Sequence, residues 1–436
     1  MEENSAMSGS IAIIGTLDTK GDQIEYLKQQ IEDRGHKTTV IDVGVLGVVP
    51  FVPAVNREQV AEAAGSNLRE VAALNDSYLA STVMAKGASE IVKELCSRGK
   101  VEGIIAVGGS QGTGLALAVM KSVPLGIPKI VVTTVAYSQL ITPDMAGGDD
   151  VIMIPWTAGL WGLNTMSRWV MEAAAGAISG AADAYNKRKA PGKRMIGVTS
   201  LGGAISRYMN HLKPALEGRG YEVAVFHVTG MSGRIFERAI RDGLIAASLD
   251  LAAAIELLNS VTDGACSAGE HRLEAACEMG VPQIVSPGPI EAFHWGKDRP
   301  FPDRYEDRPR HQHSALILTV RSSVEEIAAA AKLMAEKLNA ASGPTAVVLP
   351  MRGMIGRDDR HETLSTTLSA GGVEKFRQEL MRITLPGMQA FRETLLKHIK
   401  PDIEVVTLDV AFNDPLYAET VLRLFDEMMS GILRNP

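Results

Sequence analysis

Short apolar runs alternate with longer amphipathic stretches through the first half of the chain. This is the pattern of a parallel sheet whose strands are joined by helices. Ile11–Leu17 and Thr38–Val43 read as strands on either side of a helix over Asp22–Arg34. Arg57–Leu74 and Leu79–Arg98 place apolar residues at helical spacing, and a strand at 103–107 follows them. A helix and a further strand, Lys129–Val135, come next, and Gly159–Asn186 reads as one long helix rich in Ala and Gly.

A second cycle opens after Ala190-Pro191-Gly192-Lys193, with strand Met195–Leu201, helix Met209–Gly218 and strand Glu222–Val228. Leu244–Leu258 reads as an apolar helix interrupted by Asp250 and Glu256, too polar to span a membrane. Beyond it, Ser314–Arg321 reads as a strand, Ser323–Asn339 as a helix, and Thr345–Pro350 as a strand ending in a glycine loop. Val373–His398 predicts two helices broken near Pro386, ahead of strand Glu404–Asp409 and helix Pro415–Leu433.

The two cycles resemble each other. EDRGHKTTVIDVG at 32–44 parallels EGRGYEVAVFHVTG at 217–230, and LGIPKIVV at 125–132 parallels MGVPQIVS at 279–286. The fold class predicted is α/β, with two Rossmann-like lobes of parallel sheet flanked by helices. The second lobe reads as a diverged duplicate of the first. The boundaries that follow are 1–189 for an N-terminal α/β domain and 194–436 for a C-terminal α/β domain.

Two loops carry the clearest chemistry. The strand at 103–107 enters a helix through Gly108, Gly109, Ser110, Gln111, Gly112 and Thr113. Such a junction leaves backbone N–H groups unpaired at the positive end of a helix, an anion site. Gly15-Thr16-Leu17-Asp18-Thr19-Lys20-Gly21 joins the first strand to the first helix, on the same sheet edge. Thr16 and Thr19 offer hydroxyls, Lys20 a cation for phosphate oxygens, and Asp18 a partner for a ribose hydroxyl or a Mg²⁺-bound water. Helix capping by Asp18 or Thr19 is the alternative. Asp42 closes the second strand, where it either holds a ribose or caps the next turn, and Thr133 and Thr134 line the same edge. Neither loop matches a Walker motif or a clean GxGxxG.

Composition narrows the partners. The 436 residues are 46% hydrophobic, with a net charge of −7 and a pI near 5.8, and no basic stripe suggests nucleic acid. Lys187-Arg188-Lys189 reads as a solvated linker. Three cysteines, Cys96, Cys266 and Cys277, with no CxxC spacing exclude a disulfide framework or zinc ribbon. The chain shows no signal-peptide pattern, so a cytoplasmic protein without a membrane segment is expected. In the second lobe, Thr199-Ser200-Leu201-Gly202-Gly203 and Ser286-Pro287-Gly288-Pro289 end strands. Glu270, His271, His294, His311 and His313 lie among loops with several arginines. No metal-binding helix spacing appears among them, and His294 or His313 could serve as acid, base or ligand.

GTLDTK, GIIAVGGSQGT, VVTTVA, AGLWGLN, SAGEHRLEAA, VSPGPIEAFHWG, HSALILTVR and IEVVTLDVAFNDPLYAE run in order along nearly the whole chain. Together they resemble an uncharacterised bacterial family sharing the ATP-binding domain found at the N-terminus of the tomato mosaic virus resistance protein. That resemblance implies ATP or a related nucleotide on Gly15–Lys20 and Gly108–Thr113, where Asp18 offers a place for Mg²⁺, and a homo-dimer or higher homo-oligomer. The chain departs from the family where Ala411-Phe412 replace a usual histidine, and where Gly353–Glu362 lacks a glycine/proline/phenylalanine run. The function expected is an ATP-dependent enzyme acting on a small polar substrate between the lobes, with Glu270, His313 and Arg321 as catalytic candidates. The alternatives are a non-catalytic nucleotide-binding module, and a nucleotide-independent lyase or hydrolase of a carboxylate.

Overall fold

The structure, a computed structural model, describes residues 9–146, 150–156, 158, 161–188, 192–201, 207–353 and 370–431. The candidate residues Gly202 and Gly203, the linker residues 189–191 and the loop 354–362 lie outside these. The chain divides into two compact units, Met1–Ala190 and Pro191–Pro436. No described helix is long and apolar enough to cross a membrane.

The first unit runs β1 (Ser10–Gly15), α1 (Leu17–Glu32), β2 (Thr38–Asp42), α2 (Arg57–Ala63), α3 (Leu68–Ala73), α4 (Ser77–Ser97) and β3 (Val101–Gly108). It continues with α5 (Ser110–Met120), β4 (Lys129–Thr133), α6 (Pro143–Ala146), β5 (Val151–Pro155) and α7 (Thr165–Asn186). The five strands form one parallel sheet in the order β2-β1-β3-β4-β5. Strand residues alternate between two cores, as a sheet buried on both faces requires. Ala12, Ile14, Ile104 and Ala106 pack against α4 and α5, while Ile11, Ile13, Ile105 and Val107 pack against α1 and α7. Arg57–Leu74 is two helices instead of one, because Gly65 takes φ +82° and Asn67 caps α3 through Glu70 N. The long helix 159–186 starts later than predicted, at Thr165, and the edge strand β5 precedes it.

The second unit opens with β6 (Met195–Ser200), α8 (Met209–Gly218), β7 (Glu222–His227), α9 (Met231–Arg241), β8 (Ile245–Asp250) and α10 (Ala253–Val261). Next come α11 (Ala275–Met279), β9 (Gln283–Val285), β10 (Ala292–Gly296), β11 (Arg310–Gln312), β12 (Ile317–Arg321) and α12 (Val324–Leu338). β13 (Thr345–Pro350), α13 (Ala370–His398), β14 (Glu404–Leu408) and α14 (Pro415–Met429) complete it. Six strands form a parallel sheet in the order β14-β13-β9-β8-β6-β7. Numbered along the chain within this sheet alone, its first five strands, β6, β7, β8, β9 and β13, repeat the 2-1-3-4-5 order of the first sheet.

Three expectations change here. Leu244–Leu258 is a strand, a turn and a helix, with Asp250 ending β8 and Glu256 inside α10. α13 runs unbroken through Pro386, which is exposed, so the N–H it lacks is missing only from the solvent side of the helix. Between β9 and β13 the chain inserts an antiparallel sheet, β10-β12-β11, that a purely parallel reading did not contain.

Candidate functional site

β1 and β3 are parallel neighbours, with Ile14 opposite Ala106, so Gly15 and Gly108 leave the sheet side by side. Gly108 pairs with Thr133 on β4, and Thr134 N donates to Gly108 O at 3.3 Å, which brings Thr134 to the same edge. The helix after β1 covers one face of the sheet and the helix after β3 covers the other. The connections therefore diverge between β1 and β3, and among the described residues no helix covers the crevice at their carboxyl ends.

The 108–113 loop is built by close backbone approach. A Cβ on Gly108 would lie 2.8 Å from backbone atoms of Gly112, so only glycine lets the loop fold over the strand end. Gly109 is different. Its φ of −79° and ψ of −161° suit any residue, and a Cβ there would meet only Thr134 Oγ1, at 3.8 Å. Gly109 precedes α5, which begins with no side-chain cap. The amides of Ser110, Gln111 and Gly112 in that first turn have no carbonyl a turn earlier to bind, and point out of the helix end. Thr113 lies beneath them, its Oγ1 donating to Gly109 O at 2.7 Å and meeting Thr133 Oγ1 at 2.5 Å. Gln111 Nε2 donates to Ser77 O at 2.6 Å and ties the loop to α4.

The facing loop is pinned from below. Asp42, 1% exposed, accepts from Leu17 N at 3.0 Å and Gly44 N at 2.9 Å, so it caps both α1 and the next turn. Burial raises its pKa, and those two amides oppose the rise. Asp18 Oδ2 accepts from Leu46 N at 3.2 Å, and Gly44 and Gly47 bring their backbone against its side chain. Thr16 and Thr19 share a 2.5 Å contact between hydroxyls. At Lys20 the helix is interrupted, with φ −129° and ψ 18°. The Lys20 ammonium stands 5.5 Å from the ring centroid of Trp156, and burial lowers its pKa. Trp156 N donates to Thr133 O at 2.8 Å, so lysine, tryptophan and Thr134 share one sheet edge.

The catalytic candidates do not converge. Glu270 is exposed on a turn before α11, and its backbone oxygen accepts from Lys337 Nζ. His313 lies just past β11 opposite Ile317, whereas Arg321 ends β12 opposite Ala292. The two thus lie at opposite ends of one strand.

The most heavily engaged ionic group of the second unit is one the sequence reading passed over. Arg272, fully buried, sits between three carboxylates. Its Nε donates to Glu256 Oε2 at 2.6 Å, and its Nη1 to Glu237 Oε1 at 3.0 Å and Asp250 Oδ2 at 2.5 Å. Thr199 Oγ1, at the end of β6, donates to Asp250 Oδ1 at 2.6 Å. Glu237 also accepts from the amides of Leu273, Glu274 and Ala275 and so caps α11. The signal available in the sequence was the pair of acids, Asp250 and Glu256, set in an otherwise apolar run. Among the described residues no group of three His, Cys, Asp or Glu could hold a metal ion. Cys266 is buried, its thiol pushed up to about 11 by burial and by Glu256, which leaves it a poor nucleophile.

Residues 9–187 match the N-terminal domain, and residues 193–429 the C-terminal domain, of a family described as uncharacterised protein family UPF0261. A UPF0261 protein of Brucella suis is 38% identical over 423 residues, covering 97% of this chain and 96% of its own length. One from Clostridium tetani is 38% identical over 360 residues, covering 82% of this chain and 87% of its own. The ToMV resistance protein Tm-1 of Solanum lycopersicum is 28% identical over 376 residues, which cover 80% of this chain and 49% of that protein. Neither domain description names a ligand or a reaction.

Two stability measurements check this geometry. Gly108→Ala is expected to destabilise the first unit by about 1–3 kcal/mol through overpacking, and Gly109→Ala by less than about 0.5 kcal/mol. Urea unfolding read by tryptophan fluorescence compares them, since Trp156, Trp161 and Trp169 all lie in this unit. In the second unit, burial holds Glu237 and Glu256 above the ordinary 4.5. Above that value the folded chain keeps protons that the unfolded chain has released, so stability falls as pH rises through the interval. Arg272→Met raises both carboxyls further. The expected loss is about 3–5 kcal/mol near pH 8 and smaller near pH 5, measured by urea unfolding at both.

Proposed function

The chain belongs to the uncharacterised protein family UPF0261 along both of its domains, and from that footing we propose that its N-terminal unit binds the phosphates of a nucleotide, ATP with Mg²⁺, at the carboxyl ends of β1 and β3. The observation that carries this reading is the uncapped start of α5, opening behind Gly109 at the point where the sheet's connections diverge. In this reading the amides of Ser110, Gln111 and Gly112 hold phosphate oxygens, with the hydroxyls of Ser110 and Thr134 beside them. Lys20 adds the cation, and Thr16 and Thr19 reach the same anion or its sugar. Asp18 supplies a carboxylate for a ribose hydroxyl or a metal-bound water, once the loop at 44–47 releases it. Asp42 and Thr113 act beneath the site as positioning residues, because the Asp42 carboxylate is engaged by the amides of Leu17 and Gly44 and the Thr113 hydroxyl by Gly109 O and Thr133 Oγ1.

A second reading takes the nucleotide as a bound regulator that is not consumed. The separation of Glu270, His313 and Arg321 favours it, since no acid–base pair forms among them. The N-terminal site serves both readings alike, and turnover of bound ATP separates them.

Isothermal titration of ATP, ADP and NADH into the full chain tests the site. ATP is expected to bind with a dissociation constant at or below about the millimolar level, corresponding to roughly 4 kcal/mol of binding free energy. Gly109→Val, which fills the open space over the α5 amides, should abolish binding while leaving the unfolding transition in place. Lys20→Gln should weaken it about tenfold through loss of a charge-assisted contact. Unchanged ATP affinity in Gly109→Val excludes the glycine loop as the phosphate site.

A further inference from the structure

The antiparallel sheet β10-β12-β11 has two unlike faces. Phe293 and Trp295 on β10 stand opposite Val320 and Leu318 on β12, and this face packs into the core with α10 and α12. Directly opposed residues share a face, so the other face carries His294, Thr319 and His311 in one cross-strand row. Arg321, two residues along β12, stands on that same face. The ring of His313 lies 6.4 Å from the rings of both His294 and His311. His227, the last residue of β7, adds a fourth imidazole close enough to disfavour protonation of His294.

His311 and His313 on this face are exposed, whereas its floor is shielded. Nδ1 of His294 is cut off from solvent and has no hydrogen-bond partner among the described residues. Arg321 is only 6% exposed. Burial, with His313, His311 and His227, holds His294 down to about 4. Leaving an imidazole nitrogen buried and unbonded costs free energy that an apolar residue at the same position on β10 would avoid. A ligand that accepts hydrogen bonds removes that cost, and negative charge on it favours protonation of the imidazoles beside it.

We infer that the His294–Thr319–His311 face, closed at its edges by His313 and Arg321, binds a small oxyanion, the carboxylate or phosphate of a metabolite. The imidazoles, the threonine hydroxyl and the guanidinium are donors of the type that hold carboxylate and phosphate oxygens. The site lies wholly in the second unit, so it stands or falls apart from the nucleotide reading.

Isothermal titration of inorganic phosphate, and separately of malonate, into the full-length Gly109→Val protein keeps the glycine loop from contributing. One anion per chain is expected, and the two probes distinguish a phosphate from a carboxylate preference. His294→Gln combined with His313→Gln should weaken binding about tenfold or more. Where the double variant fails to fold, exposed His313→Gln alone carries the test, with an expected weakening of about threefold or more. No binding of either anion overturns the inference, as does affinity unchanged in His313→Gln. Stoichiometric binding of Zn²⁺ that is lost in the same variants overturns it too, by making the cluster a metal site.

Discussion

A parallel strand must be followed by a right-handed crossover, and a sheet ordered 2-1-3-4-5 can satisfy that rule only by moving its connecting helices from one face to the other where the strand order reverses, next to the first strand. Between its first and third strands no helix among the described residues covers the carboxyl edge. Both units obey this constraint, and the rest of the molecule is arranged around its consequence. In the first unit the uncovered edge is lined by backbone amides, a kinked helix start and a half-buried lysine. In the second unit the corresponding strand ends, Thr199 on β6 and Asp250 on β8, are bonded to each other and to the guanidinium of Arg272. One topology thus leaves a polar crevice open in one copy and ties it with an ionic network in the other.

The two segment pairs that resemble each other along the chain land on equivalent elements. Residues 32–44 and 217–230 each end a first helix and form the second strand, β2 and β7, while 125–132 and 279–286 each lead into the fourth, β4 and β9. The equivalence extends to single positions. Asp42 and His227 both close the second strand of their unit. Asp42 is spent on capping α1, whereas His227 contributes to the basic face of the inserted sheet. A shared frame with different residues at its strand ends is the expected outcome of duplication followed by divergence of the sites.

Legibility followed the range of the forces involved. Strands such as β1, β3, β4 and β13 were readable because burial on both faces writes a continuous apolar run into the sequence. The glycine loop was readable because close backbone approach at Gly108 admits no other residue. What escaped depended on partners distant in sequence. Arg272 carries no local sign of burial, which rests on Glu237, Asp250 and Glu256 from three different elements. Leu244–Leu258 escaped because its strand passes to its helix through Leu251-Ala252, with no glycine or proline to mark the turn. β10 and β11 are short, carry histidine and arginine, and owe their strand geometry to pairing with β12. Within the candidate site, residue type was legible but orientation was not. Asp42 and Gln111 could have faced a ligand, and the packing turned both toward backbone.

In the proposed function the nucleotide meets the chain at the carboxyl edge of the first sheet. Amide hydrogen exchange of the full chain, with and without ATP and Mg²⁺, tests this most directly because it reports every backbone N–H. Slowed exchange confined to the segments at 15–21 and 108–113, with the carboxyl edge of the second sheet unchanged, is the predicted result. Protection that appears elsewhere, or none at saturating nucleotide, would contradict it.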